Sequence, residues 1–311
     1  MEKTPKPSVT SFQYFTIISG VLIANGIMSL PRGVASDAGR SAWWVVLAVG
    51  LVMSGVTLLA DLLASKFPTQ DAAEWPKLLL GQVLGRIWMT IYAVRALIFC
   101  LLTAQLYSGN LSTRLLAETP TYIFAIITLI LSFMAVLAGI AGFTRYSEVA
   151  FFISMPVLLF LIIPLTKSNS MHLLPLVGDK PASDLLKSAL GASYSFTGFD
   201  FLWFVYPYLL NKASSKLAAI GAVVFTTGVY TFVTATAIMF YALEKLNIIF
   251  LPTLSLLSGI EVVLFERVDS LMLFVWISTV VVTAASQLYT ATRLVQGMSS
   301  RLSFAKIAAF L

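Results

Sequence analysis

Residues 23–31 read IANGIMSLP and residues 193–200 read SYSFTGFD, and both strings lie inside long apolar segments. Each unpaired backbone group in lipid carries a large energetic penalty, so a spanning helix rarely breaks without a purpose. Interrupted apolar segments at corresponding positions of two halves are typical of transporters, in which they form the ligand site. These two strings therefore decide both the predicted fold and the predicted site.

The composition places the chain in a lipid bilayer. Of its 311 residues, 59% are hydrophobic and 11% are charged, whereas a soluble domain carries about 25% charged residues. Apolar runs of spanning length recur along the chain, so we expect an all-α, multi-pass integral membrane protein with a single transmembrane domain, residues 1–311. The net charge of +6 comes from basic residues scattered between these runs, which argues against nucleic-acid binding.

The orientation of the spans follows from charge. Basic residues are more frequent in the segments that share a side with the N-terminus, so the N-terminus is predicted to be cytoplasmic. The first broken span then runs outward and the second inward, which is an inverted-repeat arrangement with discontinuous first and sixth helices. We expect a first five-helix repeat at 11–166 and a second, incomplete repeat at 186–311. The predicted spans are 11–36, 43–65, 87–113, 121–141, 149–166, 186–210, 217–243 and 270–297.

The first break offers backbone amides. Glycine tolerates unusual φ and ψ at Gly26, and Pro31 lacks an N–H donor. Unwinding would free the amides of residues 25–28, and a half-helix that begins near Pro31 would point its positive end at the break, which suits a carboxylate. Asn25, Gly26 and Ile27 are therefore candidate binding residues. The alternative is a kink without a ligand, since Gly and Pro are common in membrane helices.

The second break places an acid among aromatic residues. An Asp at the centre of a span costs about 2.5–3.5 kcal/mol on insertion scales, so Asp200 should face a cavity or a partner. Freed carbonyls near Ser195 and Phe196 would receive an ammonium group, and Phe196, Phe199 and Tyr206 would form a wall around an apolar side chain. The alternative is a structural acid that pairs with another helix. The candidate binding residues here are Ser195, Phe196, Thr197, Gly198, Phe199 and Asp200.

Three more polar residues in the spans, Arg95, Thr283 and Ser286, are candidates for a cation site or a gate. Arg95 lies near mid-membrane. A functional interpretation makes it a charge partner of Asp200 or a gate, whereas a structural one makes it part of an ion pair or a side chain that snorkels to the inner face. Thr283 and Ser286 share a helical face and could complete a cation site with carbonyls of the first break. The alternative is interhelical hydrogen bonding, which Ser and Thr make routinely. Asp61 lies closer to a span end and is expected to be solvated.

Enzyme chemistry finds no support in the sequence. His172 and Cys100 are the single histidine and cysteine, and the chain has no P-loop, HExxH or G-x-S-x-G string. An intramembrane hydrolase would need a paired nucleophile and base, which the sequence does not offer. We therefore expect a protein that is not an enzyme and has no metal site and no cofactor, with coupling to Na⁺ or H⁺ left open.

Both broken strings resemble signatures of the amino acid–polyamine–organocation superfamily. Residues 26–31, GIMSLP, are similar to its first-helix GxGI…P signature, and residues 196–200, FTGFD, to its sixth-helix FxGF(E/D) signature. Residues 250–253, FLPT, followed by ERVD at 266–269 and Trp276, resemble the PT…ER(L/V)D…W region of the spore germination B-subunit permeases. The resemblance extends over essentially the whole chain.

This resemblance implies a LeuT-like fold whose pocket, between the first and sixth helices, binds a germinant, usually an amino acid. It implies a membrane subunit of a nutrient germinant receptor that acts with an A subunit and a lipoprotein C subunit in the bacterial spore inner membrane or the cell membrane. The alternative is an ion-coupled amino-acid permease. The apolar stretch that starts near Phe304 is cut off at Leu311 and is too short to span. We therefore expect the C-terminal helices of the second repeat to be missing.

Overall fold

The computed structural model describes residues 6, 8–24, 26–114, 118–175, 180–258, 268–298 and 303–311. This part of the chain is almost entirely helical. The α-helices are α1 (Ser11–Leu22), α2 (Gly26–Ala38), α3 (Ala42–Lys66), α4 (Trp75–Arg114), α5 (Thr121–Leu137), α6 (Gly139–Leu159), α7 (Ile162–Thr166), α8 (Ala182–Ser193), α9 (Leu202–Val205), α10 (Ser215–Leu246), α11 (Pro252–Ser258), α12 (Val268–Met298) and α13 (Phe304–Phe310). Short 3₁₀ turns occur at Gly39–Ser41, Ser170–Leu173, Tyr194–Phe196, Phe199–Phe201, Tyr206–Tyr208 and Lys212–Ser214.

Several helices are long and apolar enough to cross a bilayer. Five of the described segments qualify by length and composition: Gly26–Lys66, Trp75–Arg114, Gly139–Thr166, Lys212–Leu246 and Val268–Met298. The other predicted spans are α5, which has 17 residues, and the two broken spans, whose halves are each shorter than a crossing helix. The protein is therefore an integral membrane protein, as the composition predicts.

The first span breaks where the sequence predicts. α1 starts at a capping box, in which the Thr10 side chain accepts from the Gln13 amide and the Gln13 side chain accepts from the Thr10 amide, each at 3.1 Å. The helix ends at Leu22, and helical structure resumes at Gly26. The interruption is therefore short, and it falls in the middle of the span.

The second half-helix begins at Gly26, however, and not near Pro31 as expected. Pro31 lies inside α2, where it removes the amide that would normally bond to the carbonyl of Ile27. That carbonyl instead accepts the hydroxyl of Thr253, on α11, at 2.6 Å. Because a side chain replaces the missing donor, the helix continues through the proline.

The sixth span breaks at Thr197 and Gly198. After α8 and the turn that follows it, Thr197 is extended and Gly198 has a φ of 109°, in the left-handed region that favours glycine. A methyl group at position 198 would also collide with Cγ1 of Val21, on α1. Gly198 is therefore required both by its own backbone and by the close approach of the first span.

The fourth and fifth spans meet sooner than predicted. The predicted spans, 121–141 and 149–166, leave a loop between them, whereas α6 begins at Gly139, almost directly after α5. Gly139 has a φ of 68°, in the left-handed region that favours glycine, and separates the two helices without a longer loop. Glu148 accordingly lies within α6, where its carboxylate accepts from the Gln13 side chain at 3.0 Å.

The half-helix α1 lies at the centre of the molecule. It packs against α6, α10 and α12, while α12 also packs against α4 and α5. Tyr14, Ile17 and Ile18 of α1 and Trp276 of α12 are among the largest fully buried side chains. Apolar side chains on α4, such as Leu101, are exposed on the outside, as expected for a lipid-facing surface. The first break therefore lies in the protein interior and not at the lipid surface.

The stretch between α10 and α12 is less superficial than its sequence suggests. The amphipathic pattern of residues 244–269 predicts short helices lying on the membrane surface. In the described part of this stretch, Leu254 and Leu257 of α11 are buried, and α11 packs against α2 and α12. α11 is therefore part of the packed structure and carries Thr253 to the first broken span.

Candidate ligand-binding site

The two breaks lie side by side. The hydroxyl of Tyr230, on α10, donates to the carbonyl of Leu22 at 2.6 Å and lies 3.1 Å from the carbonyl oxygen of Ser195. A methyl group at Gly26 would lie 3.1 Å from both the Ser195 side chain and the Tyr230 hydroxyl. One tyrosine therefore joins the end of α1 to the turn after α8.

Side chains from neighbouring helices satisfy the carbonyls that the first break frees. The last carbonyls of a helix have no partner within it. Trp276 donates its indole N–H to the carbonyl of Ala24 at 2.9 Å, and the Thr283 hydroxyl lies 3.0 Å from the carbonyl of Val21 and 3.3 Å from that of Gly20. Both donors belong to α12. The broken backbone is thus held in one geometry by long-range contacts.

A cavity of about 240 Å³ lies between the two breaks and α4. Gly26 and Ser29 line it from the start of α2, and Ser195 and Thr197 line it from the sixth span. The remaining wall is largely apolar. It is formed by Val21, Leu22, Ala24, Phe99, Leu102, Thr103, Leu106, Tyr194 and Thr283.

The electrostatics of the cavity come from the backbone, because none of its described lining residues carries a charged side chain. The first amides of α2, from Gly26 to Met28, have no acceptor within the helix and form its positive end. The carbonyl ends of α1 and α8 form the opposing negative poles. A small molecule with one anionic and one cationic group would find a partner for each.

An ion pair lies next to this cavity. The guanidinium of Arg95, on α4, lies 2.9 Å from the carboxylate of Asp200. The guanidinium also stacks over the rings of Tyr92, 4.4 Å to the centroid, and Phe99, 5.3 Å to the centroid. Phe99 lines the cavity itself. The pair therefore ties the sixth-span break to the helix that supplies the apolar wall.

Aromatic side chains continue from this ion pair toward the end that carries the N-terminus. Tyr92 stacks on Trp88 at 4.7 Å between centroids, and Trp88 contacts Trp75 at 5.8 Å. Trp203, after the sixth-span break, packs edge-on against Trp75 at 5.4 Å. A group of packed rings therefore lies between the ion pair and this end of the molecule.

The structure brings four of the predicted site residues to the cavity: Gly26, Ser195, Thr197 and Thr283. Asn25, also predicted, lies outside the described residues. The other predicted residues of the two breaks lie behind the wall or beside it. These are Ile27, whose carbonyl Thr253 occupies, Gly198, which packs on Val21, and Phe196, Phe199 and Asp200.

The expected aromatic wall comes from a different helix. Phe196, Phe199 and Tyr206 are predicted to form a wall around an apolar side chain, but none of the three lines the cavity. Phe196 is fully buried against Tyr230, with ring centroids 5.3 Å apart. Phe99 and Leu102 of α4 take this role. The reason is that Phe196, in the turn after α8, packs against Tyr230 and not toward the cavity.

Ser286 does not reach the first break. Its hydroxyl donates to the carbonyl of Thr283 within α12 at 2.7 Å. Thr283 alone of this pair contacts α1. No cluster of three or more His, Cys, Asp or Glu side chains that could hold a metal ion occurs among the described residues.

Sequence reasoning missed the residues that hold the breaks together: Tyr230, Trp276 and Thr253. Each is a side chain with a polar end on an apolar helix face. A buried Tyr or Trp usually has a hydrogen-bond partner. A Tyr or Trp on an apolar helix therefore indicates that a hydrogen bond forms there. The identity of the partner depends on helix packing and is not readable from one segment.

The chain matches the protein family described as "Spore germination protein" over residues 8–301. Its relatives include spore germination protein YndE of Bacillus subtilis, 24% identical over 299 residues that cover 93% of this chain and 80% of YndE. Spore germination protein GerLB of Bacillus cereus is 24% identical over 281 residues, which cover 86% of this chain and 73% of GerLB. The matched region contains both breaks.

Two solved transporters share the fold. Mhp1, a nucleobase-cation-symport-1 family transporter solved in a closed conformation with bromovinylhydantoin bound, superposes with a TM-score of 0.72 at 13% identity, covering 100% of this chain and 72% of Mhp1. A manganese transporter of Eremococcus coleocola superposes with a TM-score of 0.53 at 15% identity, covering 99% of this chain and 71% of the transporter. The family and these structural neighbours are permeases and transporters. The chain therefore belongs to the spore germination protein family, as a membrane permease of the amino acid–polyamine–organocation superfamily with a LeuT-like fold.

Proposed function

We propose that this protein binds an amino acid in the cavity between its two broken helices and acts as the ligand-binding membrane subunit of a nutrient germinant receptor. The observation that carries the proposal is the cavity itself, which is lined by Gly26, at the amide-bearing start of α2, and by Ser195 and Thr197 of the sixth-span break. Membership of the germination family supplies the biological setting.

A free amino acid matches the poles of the cavity. Its carboxylate would accept from the first-turn amides of α2, at Gly26 and its neighbours, which is a favourable place for an anion. Its ammonium group would donate to carbonyls of the sixth-span break. The Ser195 carbonyl already lies near the Tyr230 hydroxyl, but a carbonyl oxygen has two lone pairs and can accept a second donor.

The cavity also limits the side chain. Its volume of about 240 Å³ lies below the roughly 300–1,000 Å³ of typical sites for drug-sized ligands. Phe99, Leu102 and Leu106 make the wall apolar. We therefore propose that the ligand carries a small or medium apolar side chain and that charged side chains are excluded, because no described lining residue would pair with them.

Signalling would follow from a shift between conformations. A ligand changes such an equilibrium only if it binds one state more tightly than the other. In this proposal the ligand stabilises the state in which both breaks converge, and an A subunit and a lipoprotein C subunit of the receptor respond to it. The corresponding location is the spore inner membrane, with the N-terminus in the cytoplasm.

The binding test compares two glycines of the same half-helix. Gly26→Ala places a methyl group 3.1 Å from Ser195 and Tyr230 at the edge of the cavity, whereas Gly33→Ala places one where no atom lies within 4 Å. The purified chain and both variants are titrated with the twenty common amino acids, and heat of binding and thermal stabilisation are recorded. We expect an apolar amino acid to bind the unmodified chain and Gly33→Ala, and to bind Gly26→Ala more weakly. Binding that is equal in all three proteins would contradict the site.

An ion-coupled amino-acid permease is the second candidate. It is favoured by the Thr283 hydroxyl, which sits against the carbonyls of Gly20 and Val21 where a cation site is predicted, and by the fold of a cation symporter. Counterflow uptake in proteoliposomes separates the two functions. Accumulation driven by a Na⁺ or H⁺ gradient would establish the permease, while ligand binding without uptake would favour the receptor subunit.

A further inference from the structure

Asp61 is a buried carboxyl group that the proposed ligand site does not use. It lies on α3, near the end that shares a side with the N-terminus, and is 0% exposed. The Tyr14 hydroxyl donates to its Oδ1 at 3.1 Å, and the Ser215 hydroxyl donates to its Oδ2 at 2.9 Å. The expectation that Asp61 is solvated is therefore wrong, because α1 and α10 cover it.

The groups around Asp61 are mostly neutral. The other titratable side chains that face it are Tyr206, from the turn after α9, and Lys216, on α10. Neither forms an ion pair with Asp61 within the described part of the chain. Acids in membrane spans are rare, and those without a basic partner mark ion or proton pathways. Its surroundings thus set Asp61 apart from Asp200, which Arg95 neutralises.

The two hydroxyl groups suit a carboxyl that gains and loses a proton. A hydroxyl can donate or accept, so both contacts survive in either state. In the ionised form Asp61 accepts from Tyr14 and from Ser215. When a proton binds, an O–H bond forms on one carboxyl oxygen, the negative charge is lost, and the facing hydroxyl becomes the acceptor.

The helices that hold Asp61 also form the ligand site. α1 contacts Asp61 through Tyr14 and lines the cavity through Val21. α10 contacts Asp61 through Ser215 and reaches both breaks through Tyr230. The carboxyl and the cavity therefore share two rigid helices, which is a physical route for coupling between them.

We infer that Asp61 is a proton-binding site coupled to the cavity through α1 and α10. Protonation removes the charge that strengthens the hydrogen bonds from Tyr14 and Ser215, so the two helices are held less firmly at this end and the accessibility of the cavity changes. Because coupling between two sites is reciprocal, a ligand in the cavity also changes proton binding at Asp61. This deepens the proposed function and rests on it only where the ligand is concerned.

Infrared difference spectroscopy tests the proton site without any ligand. The full chain in nanodiscs is compared between acidic and alkaline buffer, about pH 5 and about pH 9, which bracket the range of perturbed carboxyl groups. We expect a pH-sensitive band of a protonated carboxylic acid that is absent in Asp61→Asn and retained in Asp37→Asn, since Asp37 is paired with Lys187. An infrared difference spectrum that is the same in Asp61→Asn and in the unmodified chain would overturn the inference.

A second variant keeps the test decisive where Asp61→Asn does not fold. Tyr14→Phe retains the carboxyl but removes the partner of Oδ1, so the band should shift in frequency, and an unshifted band overturns the inference.

Exchange of Na⁺ for choline at constant pH should leave the spectrum unchanged. A response to Na⁺ would assign the site to a metal cation and overturn proton binding. A negative infrared result leaves the proposed amino-acid site untouched, since no ligand is present.

Thiol labelling tests the coupling. Ser29 is exposed and lines the cavity, so Ser29→Cys in a Cys100→Ala background reports access to it. Labelling rates with a water-soluble maleimide are measured with Asp61 intact and with the added substitution Asp61→Asn, at the same two pH values. The ratio of the two rates removes the pH dependence of the thiol itself. We expect this ratio to change with pH, and a constant ratio would overturn the coupling.

Discussion

The hydroxyl of Tyr230 donates a hydrogen bond of 2.6 Å to the carbonyl of Leu22 and so joins α10 to the last turn of α1. The same oxygen lies 3.1 Å from the carbonyl of Ser195. Two interrupted helices are therefore held by a side chain from a third. The cavity exists at this junction because neither half-helix continues across it.

Tyr230→Phe should lower the stability of the protein without creating a cavity in its core. The ring remains, but the buried carbonyl of Leu22 loses its donor, which costs about 1–3 kcal/mol. Thermal unfolding in detergent measures the effect. Tyr122→Phe is the matched control, since Tyr122 is 63% exposed on α5, and should change little. Equal unfolding temperatures for the two variants would show that Tyr230 does not hold the breaks.

The Arg95–Asp200 pair should behave as a unit. Asp200→Asn leaves a guanidinium without its partner, and Arg95→Gln leaves a buried carboxylate. Each single change should destabilise the protein by about 1–3 kcal/mol, less than for a fully buried pair because the Arg95 side chain is 29% exposed. The double variant should lose clearly less than the sum. A double-mutant cycle by thermal unfolding measures the coupling, and strict additivity would contradict the pairing.

Pro31 and Thr253 should show compensation. Thr253→Val removes the donor to the Ile27 carbonyl, at a cost of about 1–3 kcal/mol for an unsatisfied buried group. Pro31→Ala restores the backbone amide that the proline lacks, so the carbonyl regains a helical partner. Thr253→Val should therefore be tolerated better in the Pro31→Ala background. Thermal unfolding of the unmodified chain, the two single variants and the double variant tests this prediction. An equal loss of stability on Thr253→Val in both backgrounds would show that Thr253 does not replace the missing proline donor.

Gly198→Ala should disrupt the sixth-span break. An alanine at a φ of 109° is strained, and its methyl group would meet Val21. The expected loss is at least about 1–2 kcal/mol from the backbone alone. Gly228→Ala is the control, because nothing lies within 4 Å of its Cβ position on α10. A stability that is unchanged in Gly198→Ala would mean that the tight approach of the two spans is not required.

The sequence is sufficient to predict the class of fold and the position of both breaks. The strings around Gly26 and Gly198 contain residues that interrupt helices, and such residues act locally, so their effect is readable without tertiary information. The LeuT-like fold predicted from these strings is confirmed, and so is the family predicted from the resemblance of residues 250–253, 266–269 and Trp276. The division into two repeats stays a prediction.

The composition of the cavity wall is not readable in the same way. Phe196 and Phe99 are both aromatic residues in apolar spans, and only the packing of α4 against the breaks decides that Phe99 faces the cavity. Pro31 by itself predicts the start of a half-helix, but Thr253, far away in sequence, supplies the missing donor. Asp61 lies near a helix end, where a solvated side chain is expected, yet α1 and α10 enclose it. In each case a long-range contact overrides the local pattern.

Photo-affinity labelling shows directly whether an amino acid binds between the two broken helices. A diazirine analogue of leucine, an amino acid with an apolar side chain, is photolysed with the purified chain in nanodiscs, and labelled peptides are mapped by mass spectrometry. We expect labelling that leucine competes away, concentrated on the α4 wall at 99–106 and on the breaks at residues 21–29 and 194–197. Competed labelling that falls outside these segments, or no competed labelling with any apolar amino acid, would contradict an amino-acid site between the two broken helices.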